Sequence, residues 1–305
     1  MPNHLLFDLQ QHGHLSRIST LRNLGHSRHE IQSAATAGTI VRVARDWVAT
    51  RSASQVAIVA IAHGGKLAGA AALASLGLWD AVDRRIHIAL RPNAHGSRLQ
   101  LAAPIAGFMP PRLPPGDVKL HWRRELDPDI DAAPWRVSVL DALTLVESQS
   151  APDQFVACVD SALHAGQLSR AALPILFSAL PLRARKLLPL VNPLAESGLE
   201  SLARQRLTGI AKTIEPQVAI AGIGKAGGSG RVDLLLDSWL VIELDGDEFH
   251  DPRADRSRNA ILVRAGYRIH RFGYEQTIFD WPGVEATVRE LLRYSPPGHG
   301  LQRRS

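Results

Sequence analysis

Apolar and branched residues crowd the stretch RVDLLLDSWLVIELDGDEFH, from Arg231 to His250, and predict a buried β-hairpin. Successive side chains of a strand point to opposite faces of the sheet. With a three-residue loop at positions 237–239, the even positions form a wholly apolar face, and the odd positions place Asp233 directly across from Glu243. A two-residue loop would bury one of these acids alone among aliphatic side chains. The pattern therefore predicts the three-residue loop.

Further periodic segments surround this hairpin. Before it, a helix is predicted in PLAESGLESLARQRLT and a strand in EPQVAIAG; after it, a helix in ADRSRNAILVRAG, a strand in YRIHRF and a helix in GVEATVRELLRY. Residues 55–194 mix several helical segments with two strands, RRIHIAL and VKLHWRRE. The order of elements predicts a multidomain chain of mixed α+β and α/β type. Its parts are a mixed α/β middle domain at residues 55–194, an α/β domain at 195–295 and a flexible tail at 296–305.

The first 54 residues predict three short helices followed by a two-stranded hairpin. Ser16 is placed to cap the second helix, and Ser27 with Glu30 forms a capping box for the third. TIVRVARDWVAT supplies two strands that turn at residues 45–46. This outline is that of a winged helix. Such a domain serves DNA binding, protein binding or a purely structural role, and the outline alone leaves all three open.

The charge of the chain favours an acidic partner. The formal net charge is +6 and the sequence pI is near 10.0, and residues 1–51 hold six arginines against three acids. A basic balance of this kind suits binding to nucleic acid. If the third helix enters the major groove of double-stranded DNA, that helix and the following hairpin would present these side chains: Arg28, His29, Gln32, Ser33, Arg42 and Arg45.

The remaining composition bears on the cellular compartment. A single cysteine, Cys158, cannot form an internal disulfide, which favours a reducing cytoplasm. No apolar run reaches the roughly 18 residues that cross a bilayer, and the first residues lack a signal-peptide pattern. We therefore expect a cytoplasmic protein that is neither secreted nor embedded in a membrane.

Two carboxylates facing each other in an apolar hairpin need a compensating charge. They repel each other, and burial raises their pKa values. A magnesium ion reverses that preference, and Asp233, Glu243 and the Leu244 carbonyl would form an open shell of oxygen ligands that Glu200 on the preceding helix could also reach. The alternative is an acidic hairpin at a solvated sheet edge, balanced by arginines from the following helix.

Blocks in the last third of the chain resemble a nuclease family. They are SGLESL, RVDLL, VIELDGDEFH and DRSRNAILVRAGYRIHRF, in this order. They resemble the PD-(D/E)-x-K nuclease superfamily, and more closely the small bacterial endonuclease-like domains related to very-short-patch-repair endonucleases. The resemblance covers roughly residues 195–295. It implies a restriction-endonuclease-like α/β domain with a central mixed sheet.

The resemblance also implies roles for single residues in the acidic blocks. Asp233 and Glu243 would bind Mg²⁺ or Mn²⁺, and Glu200 would assist them. His250 would act as general base or contact a phosphate. Asp245 stands where the superfamily has a lysine, and it would be a further metal ligand or the orienter of His250.

Basic residues of the later blocks complete the expected site. The resemblance implies that Arg256, Arg258 and Arg271 meet the scissile phosphate or orient the acids. The front half resembles the N-terminal winged helix and following domain of type IV abortive-infection antitoxins of the AbiEi kind, through LGHSRHEI and IVRV, with Asp46 where that family has glycine at the wing turn. We expect a DNA-binding, metal-dependent endonuclease that hydrolyses phosphodiester bonds. The alternatives are a non-catalytic transcriptional regulator and an antitoxin-like protein that acts through protein partners.

Overall fold

A computed structural model describes residues 3–94, 117–127, 133–224, 228–245 and 252–294 of the chain. In this part of the chain, thirteen α-helices and ten strands form a mixed α and β structure with three sheets, as predicted in outline. The helices are α1 (Asn3–Gln11), α2 (Ile18–Asn23), α3 (Arg28–Thr36), α4 (Gln55–Ala62), α5 (Gly69–Ala74), α6 (Val139–Gln149), α7 (Pro152–His164), α8 (Leu173–Ala179), α9 (Leu182–Arg185), α10 (Gly198–Arg206), α11 (Pro252–Arg264), α12 (Tyr274–Phe279) and α13 (Trp281–Arg293). The strands are β1 (Leu15–Arg17), β2 (Val41–Ala44), β3 (Trp47–Ala49), β4 (Lys66–Ala68), β5 (Ile86–Leu90), β6 (Val118–Trp122), β7 (Ile214–Ile220), β8 (Gly230–Leu236), β9 (Leu240–Asp245) and β10 (Arg268–Gly273).

The chain divides into two compact units. The first comprises residues 1–150 and 167–185, and the second comprises residues 151–166 and 186–305. Helix α7 therefore belongs to the same unit as strands β7 to β10, which form the C-terminal sheet. The domain boundaries expected at residues 54, 194 and 295 remain predictions. None of the helices in the described ranges is both long enough and apolar enough to cross a bilayer.

The N-terminal segment combines three helices with a three-stranded antiparallel sheet in the order β1-β3-β2. Its apolar core is built by these buried side chains: Leu5, Leu9, Leu21, Ile31, Ile40 and Val48. The Ser27 hydroxyl accepts a hydrogen bond from the Glu30 backbone N–H, which confirms Ser27 as the cap of α3. The other half of the predicted capping box is not formed in the described structure, where the Glu30 carboxylate contacts His26 Nδ1. The predicted cap at Ser16 is wrong. Ser16 lies buried in β1, paired with Val48, because the pairing with β3 takes up this segment as a strand that the apolar pattern did not reveal.

The other sheet of the first unit has the order β4-β5-β6. Strands β4 and β5 are antiparallel, whereas β5 and β6 are parallel. Helix α5 packs beside α6 and against β5. The strands predicted in RRIHIAL and VKLHWRRE correspond to β5 and β6. The pattern KLAGAAALASLG predicts one Ala-rich helix, but its first three residues form β4 and the helix α5 begins only at Gly69.

The sheet of the second unit carries the predicted hairpin. Its order is β10-β9-β8-β7, with β9 and β10 parallel and the other neighbours antiparallel, so the sheet is mixed. Leu236 pairs with Leu240, which leaves the three-residue loop that the sequence predicted. The expected apolar face is also confirmed, since the even-numbered side chains of both strands are all buried: Val232, Leu234, Leu236, Leu240, Ile242 and Leu244.

Local hydrogen bonds hold the hairpin loop in shape. Asp237 and Ser238 have φ values of 49° and 65°, in the left-handed region that aspartate tolerates better than most residues. The Trp239 N–H donates to the Leu236 carbonyl at 3.1 Å. The Asp237 carboxylate accepts from the backbone N–H groups of Lys212 and Thr213, at 2.7 and 2.9 Å. The loop is therefore fixed to the segment that leads into β7.

A buried carboxylate anchors α10, the helix that carries Glu200. Asp160 on α7 is fully buried and accepts hydrogen bonds from the Ser201 hydroxyl, the Asn192 N–H and the Arg204 guanidinium, at 2.6, 2.7 and 3.1 Å. Burial nevertheless raises the pKa of Asp160 to about 6, because the loss of hydration outweighs these bonds.

We expect this carboxyl to make the protein less stable as the pH rises. Its pKa is about 6 in the folded chain against 3.8 for an ordinary aspartate, so its stabilising contribution is present below pH 3.8 and is lost through pH 6. Between about pH 4.5 and 6.5 the free energy of unfolding should fall by about 2 kcal/mol more in the wild type than in Asp160→Asn. Urea denaturation of both proteins at the two pH values measures this difference. The prediction is contradicted when the free energy of unfolding changes by the same amount between the two pH values in both proteins.

Candidate active site on the C-terminal sheet

Asp233 and Glu243 lie on neighbouring strands at the point where the hairpin ladder ends. The ladder of β8 and β9 closes with the pair of Leu234 and Ile242, and the same register places Asp233 opposite Glu243. Beyond that pair, the Leu244 N–H donates to the Asp233 carboxylate at 2.8 Å. The side chain of Asp233 thus serves as a hydrogen-bond acceptor for the neighbouring strand, which fixes the position of its carboxylate.

The electrostatic environment of Asp233 disfavours its charge. Burial, and after it the negative charges of Glu200 and Glu243, raise the pKa of this carboxyl to about 7. The Leu244 N–H and the Arg258 guanidinium act in the opposite direction but do not offset the rise. Near neutral pH this carboxyl is therefore partly protonated, and a carboxyl perturbed in this way marks a candidate functional site.

Glu243 is 5% exposed and is held by two arginines. Arg258 on α11 donates to Glu243 Oε2 at 2.8 Å, and Arg271 on β10 donates to the same oxygen at 3.3 Å. Glu243 lies beside Arg271 because β9 and β10 pair in parallel with these residues in register. The other oxygen, Glu243 Oε1, is buried and has no hydrogen-bond partner among the described residues. This oxygen therefore remains available to a ligand.

Glu200 joins the two strand acids from α10. Its carboxylate oxygen Oε2 accepts hydrogen bonds from Gln217 Nε2 at 2.7 Å and from the Glu196 N–H at 3.0 Å. Gln217 lies in β7 with a φ of 53°, an unusual conformation for a residue other than glycine in a strand. Such local strain is often found at functional sites, where the surrounding contacts maintain it.

Asp245 lies at the end of β9, two residues after Glu243 and beside the acidic cluster that Glu200, Asp233 and Glu243 form. The Arg271 Nε is 3.9 Å from its carboxylate, and Arg271 also donates to the Asn259 side chain at 3.1 Å. Arg271 therefore contacts both Glu243 and Asp245, which fits the orienting role expected for it. His250 lies outside the described residues, so its expected role stays a prediction.

The two arginines expected on α11 have different surroundings. Arg258 contacts Glu243 and also donates to the Arg231 carbonyl. Arg256 is exposed, and its side chain makes no hydrogen bond or ion pair within the described ranges of the chain. The structure therefore brings Arg258 and Arg271 together with the acids, while Arg256 remains accessible to a ligand at the surface.

The structure agrees with only one part of the alternative, in which the hairpin is a solvated acidic sheet edge balanced by arginines. An arginine of the following helix does balance Glu243, as that alternative required. However, β8 and β9 are the two inner strands of the sheet, and Glu243 is buried. Solvent therefore does not compensate the charge of this carboxylate.

The donor set fits a hard divalent cation in its chemistry. It offers carboxylate oxygens, one of them buried without a partner in the described structure, and a second carboxyl whose pKa of about 7 makes it ready to exchange a proton for a cation. Mg²⁺ keeps several waters and needs only one or two protein carboxylates. The ligand atoms of Glu200, Asp233 and Glu243 do not all lie within 4.8 Å of one another; in the described ranges, the group that meets this distance is His4, Asp8 and His26.

The residues expected to contact DNA in the N-terminal segment are accessible. Arg28, His29 and Gln32 are exposed on α3, Arg42 is exposed on β2, and Arg45 is exposed in the turn before β3. Ser33, one turn after His29, is also exposed, and its hydroxyl is 3.2 Å from the His29 ring nitrogen Nδ1. The capped start of α3 thus presents a basic and polar surface.

Two side chains that orient the site were not predicted from the sequence. Gln217 holds Glu200, and Asn259 holds Arg271. Asn259 directly follows Arg258 in the run DRSRN, and this position is the signal that could have found it. Gln217 lies in an unremarkable strand pattern, and only the pairing of β7 with β8 brings it near the acids.

Comparison with known proteins adds no family to this geometry. No family model matches the chain, and no curated protein matches it.

Proposed function

We propose that this protein is a DNA-binding, metal-dependent endonuclease that hydrolyses phosphodiester bonds. The observation that carries the proposal is the acidic cluster of Glu200, Asp233 and Glu243, in which Glu243 Oε1 is buried without a partner among the described residues and the pKa of Asp233 is raised to about 7. Such an arrangement costs stability, because a buried oxygen without a partner and a carboxyl with a raised pKa both lose hydration without full compensation. A restriction-endonuclease-like fold for the second unit and a winged helix for the N-terminal segment are part of the proposal.

Each residue of the cluster has a role in this proposal. Asp233 and Glu243 would hold Mg²⁺ or Mn²⁺, together with the Leu244 carbonyl, and Glu200 would add negative charge from α10. When bound, the cation would polarise the phosphodiester, activate a water and stabilise the developing negative charge. Arg271, fixed between Glu243 and Asn259, would orient the acidic ligand and meet a phosphate oxygen of the substrate.

A nicking assay on supercoiled plasmid tests the catalytic part. Wild-type protein should convert the plasmid to its open form with Mg²⁺ or Mn²⁺. The nicking reaction should stop when EDTA removes the metal. Glu243→Gln should retain DNA binding and lose nicking, because it removes one metal-binding charge while keeping the shape of the side chain. Nicking that survives in purified Glu243→Gln would show that a contaminating nuclease or another site is responsible.

The second candidate function is DNA binding without cleavage, as in a transcriptional regulator. Two observations favour it: Arg258 and Arg271 already neutralise Glu243 Oε2, and α3 exposes its own basic surface. A protein of this kind would bind DNA and give no nicking with any divalent metal.

DNA binding by the N-terminal segment has its own salt signature. Replacing both Arg28 and Arg42 by alanine should reduce the slope of log affinity against log salt by about 2, since each phosphate contact contributes about 0.9. Fluorescence anisotropy with a labelled duplex over a range of salt concentrations measures this slope. The matched control is Arg22→Ala with Arg51→Ala, which removes the same charge from exposed positions outside α3 and β2. If the slope of log affinity against log salt fell by the same amount in both double variants, net charge alone would drive binding.

A further inference from the structure

A second group of ligand-type side chains lies in the N-terminal segment and includes none of the acids of the C-terminal sheet. His4 and Asp8 are one turn apart on the same side of α1, and His26 lies in the turn between α2 and α3. One ligand atom from each of these three residues lies within 4.8 Å of the other two. The distance from His26 Nε2 to Asp8 Oδ2 is 2.7 Å, and that from His4 Nδ1 to the same oxygen is 3.3 Å.

Local structure explains why His26 points at α1. The buried Leu5 and Leu9 dock α1 on the helical core, so His4 and Asp8 are left at the edge of that contact. Gly25 adopts a φ of 102°, which allows the chain to leave α2 and bring His26 back toward α1. The His26 side chain is consequently buried, whereas His4 is largely exposed.

The second nitrogen of His26 has a partner that suits a metal ligand. His26 Nδ1 is 3.1 Å from Glu30 Oε1 on α3. Histidines that bind metals usually donate their other ring N–H to a carboxylate, which fixes the tautomer and leaves the remaining nitrogen free for the ion. Glu30 can fix His26 in this way, with Nε2 directed toward Asp8 and His4.

The fourth side of the cluster is open. A cavity of about 650 Å³ is lined by residues that include His4, His26 and Glu30, as well as apolar side chains of α1 and α3. Catalytic and exchangeable zinc sites have three protein ligands and one position for water or another ligand. Two imidazoles and one carboxylate select Zn²⁺ and its neighbours among the transition metals, whereas Mg²⁺ prefers oxygen ligands alone.

We propose that His4, Asp8 and His26 form a Zn²⁺ site that fastens α1 to the turn before α3, with Glu30 positioning His26. The ion binds through two nitrogens and one carboxylate oxygen and completes its shell from the open cavity. Zinc thereby stabilises the packing of α1 against the turn that leads into α3, the helix that carries the basic surface. The site is independent of the proposed nuclease activity.

Titration of metal-free, untagged full-length protein with Zn²⁺ by calorimetry tests the proposal, and Co²⁺ absorption in the visible range reports the coordination. We expect one ion per chain at this site, counted in Asp233→Asn so that the proposed cation site on the C-terminal sheet does not contribute, with a Kd on the order of 1 μM or tighter. His4→Ala should weaken binding at least tenfold without a folding defect, because His4 is exposed. Glu30→Gln should weaken it by about 10-fold to 100-fold.

Two control variants distinguish this site from general surface binding and from the acidic cluster on the C-terminal sheet. His29→Ala removes an exposed histidine of the same segment that lies outside the cluster, and it should bind Zn²⁺ like the wild type. Asp233→Asn should also retain the zinc site, so a failure of the nuclease proposal leaves this result intact. Absence of saturable Zn²⁺ binding, or binding unchanged in His4→Ala, would overturn the proposal and leave the cluster as a network of ion pairs.

Discussion

Asp233→Asn is expected to reduce metal-dependent nicking at least about a thousandfold while making the folded protein more stable. The change removes a charge that the cation needs but keeps an oxygen to accept the Leu244 N–H. Stability should rise because burial and the neighbouring acids disfavour the ionised carboxyl, whose pKa is about 7. An activity loss with a stability gain is typical of a functional residue that the fold tolerates at a cost.

The stability gain should depend on pH in a defined direction. The folded-state pKa of Asp233 lies above its ordinary value of 3.8, so its favourable contribution is present below pH 3.8 and is lost as the pH passes about 7. In EDTA, Asp233→Asn should therefore exceed the wild type by about 1 to 3 kcal/mol above about pH 8 and by little below about pH 4. Denaturant unfolding at both pH values measures this.

A contrasting variant on the same hairpin checks the interpretation. Asp237→Ala removes the carboxylate that accepts from Lys212 and Thr213 at the loop, so it should cost about 1 kcal/mol and leave nicking intact. If Asp237→Ala abolished nicking as well, loss of the hairpin structure would explain both results. If Asp233→Asn destabilised the protein, the carboxylate would be structural.

Arg258→Met is expected to destabilise the metal-free protein by about 2 to 4 kcal/mol. The change leaves Glu243 buried, with one oxygen already unpartnered among the described residues and only the longer contact to Arg271 on the other. The penalty should shrink when Mg²⁺ is present at saturating concentration, since a cation on Glu243 replaces the lost positive charge. Guanidinium unfolding with EDTA and with Mg²⁺ measures both values.

Arg256→Met is the matched control for this effect. It removes the same side chain two positions earlier on α11, where the residue is exposed, and should change stability by less than about 0.5 kcal/mol. A penalty for Arg258→Met that stays the same with and without Mg²⁺ would argue against a cation at Glu243. A similar penalty for both variants would show that the helix itself is sensitive to loss of arginine.

The hairpin was predictable because two independent constraints agreed on it. Even positions were wholly apolar, and the opposition of Asp233 and Glu243 required an odd loop, so both the register and the loop of the structure follow from the alternation. The cap at Ser27 was also predictable, since it depends on residues three positions apart, whereas the cap predicted at Ser16 was wrong because strand pairing takes up that residue. Strand β1 was missed because three residues are too few to show a period, and its pairing with β3 is a long-range contact.

The acids of the candidate site could be predicted from the sequence more completely than the side chains that orient them. Asp233, Glu243, Arg258 and Arg271 were chosen from the sequence, and the structure places all four in contact or in electrostatic interaction. The bond from Gln217 to Glu200 joins β7 to α10. Such a bond depends on tertiary packing, which no local pattern encodes. The contact of Glu243 with Arg271 is likewise set by the parallel pairing of β10 with β9.

The loop at residues 237–239 determines which residues of the two strands face each other. In this sequence a two-residue turn would pair Leu236 with Trp239 instead of Leu240, which would send Asp233 and Glu243 to opposite faces although neither acid is altered. Replacing Asp237 and Ser238 by Asn and Gly, the pair that favours two-residue turns, would promote this slip. Two substitutions in the turn could therefore separate the acids without touching either of them.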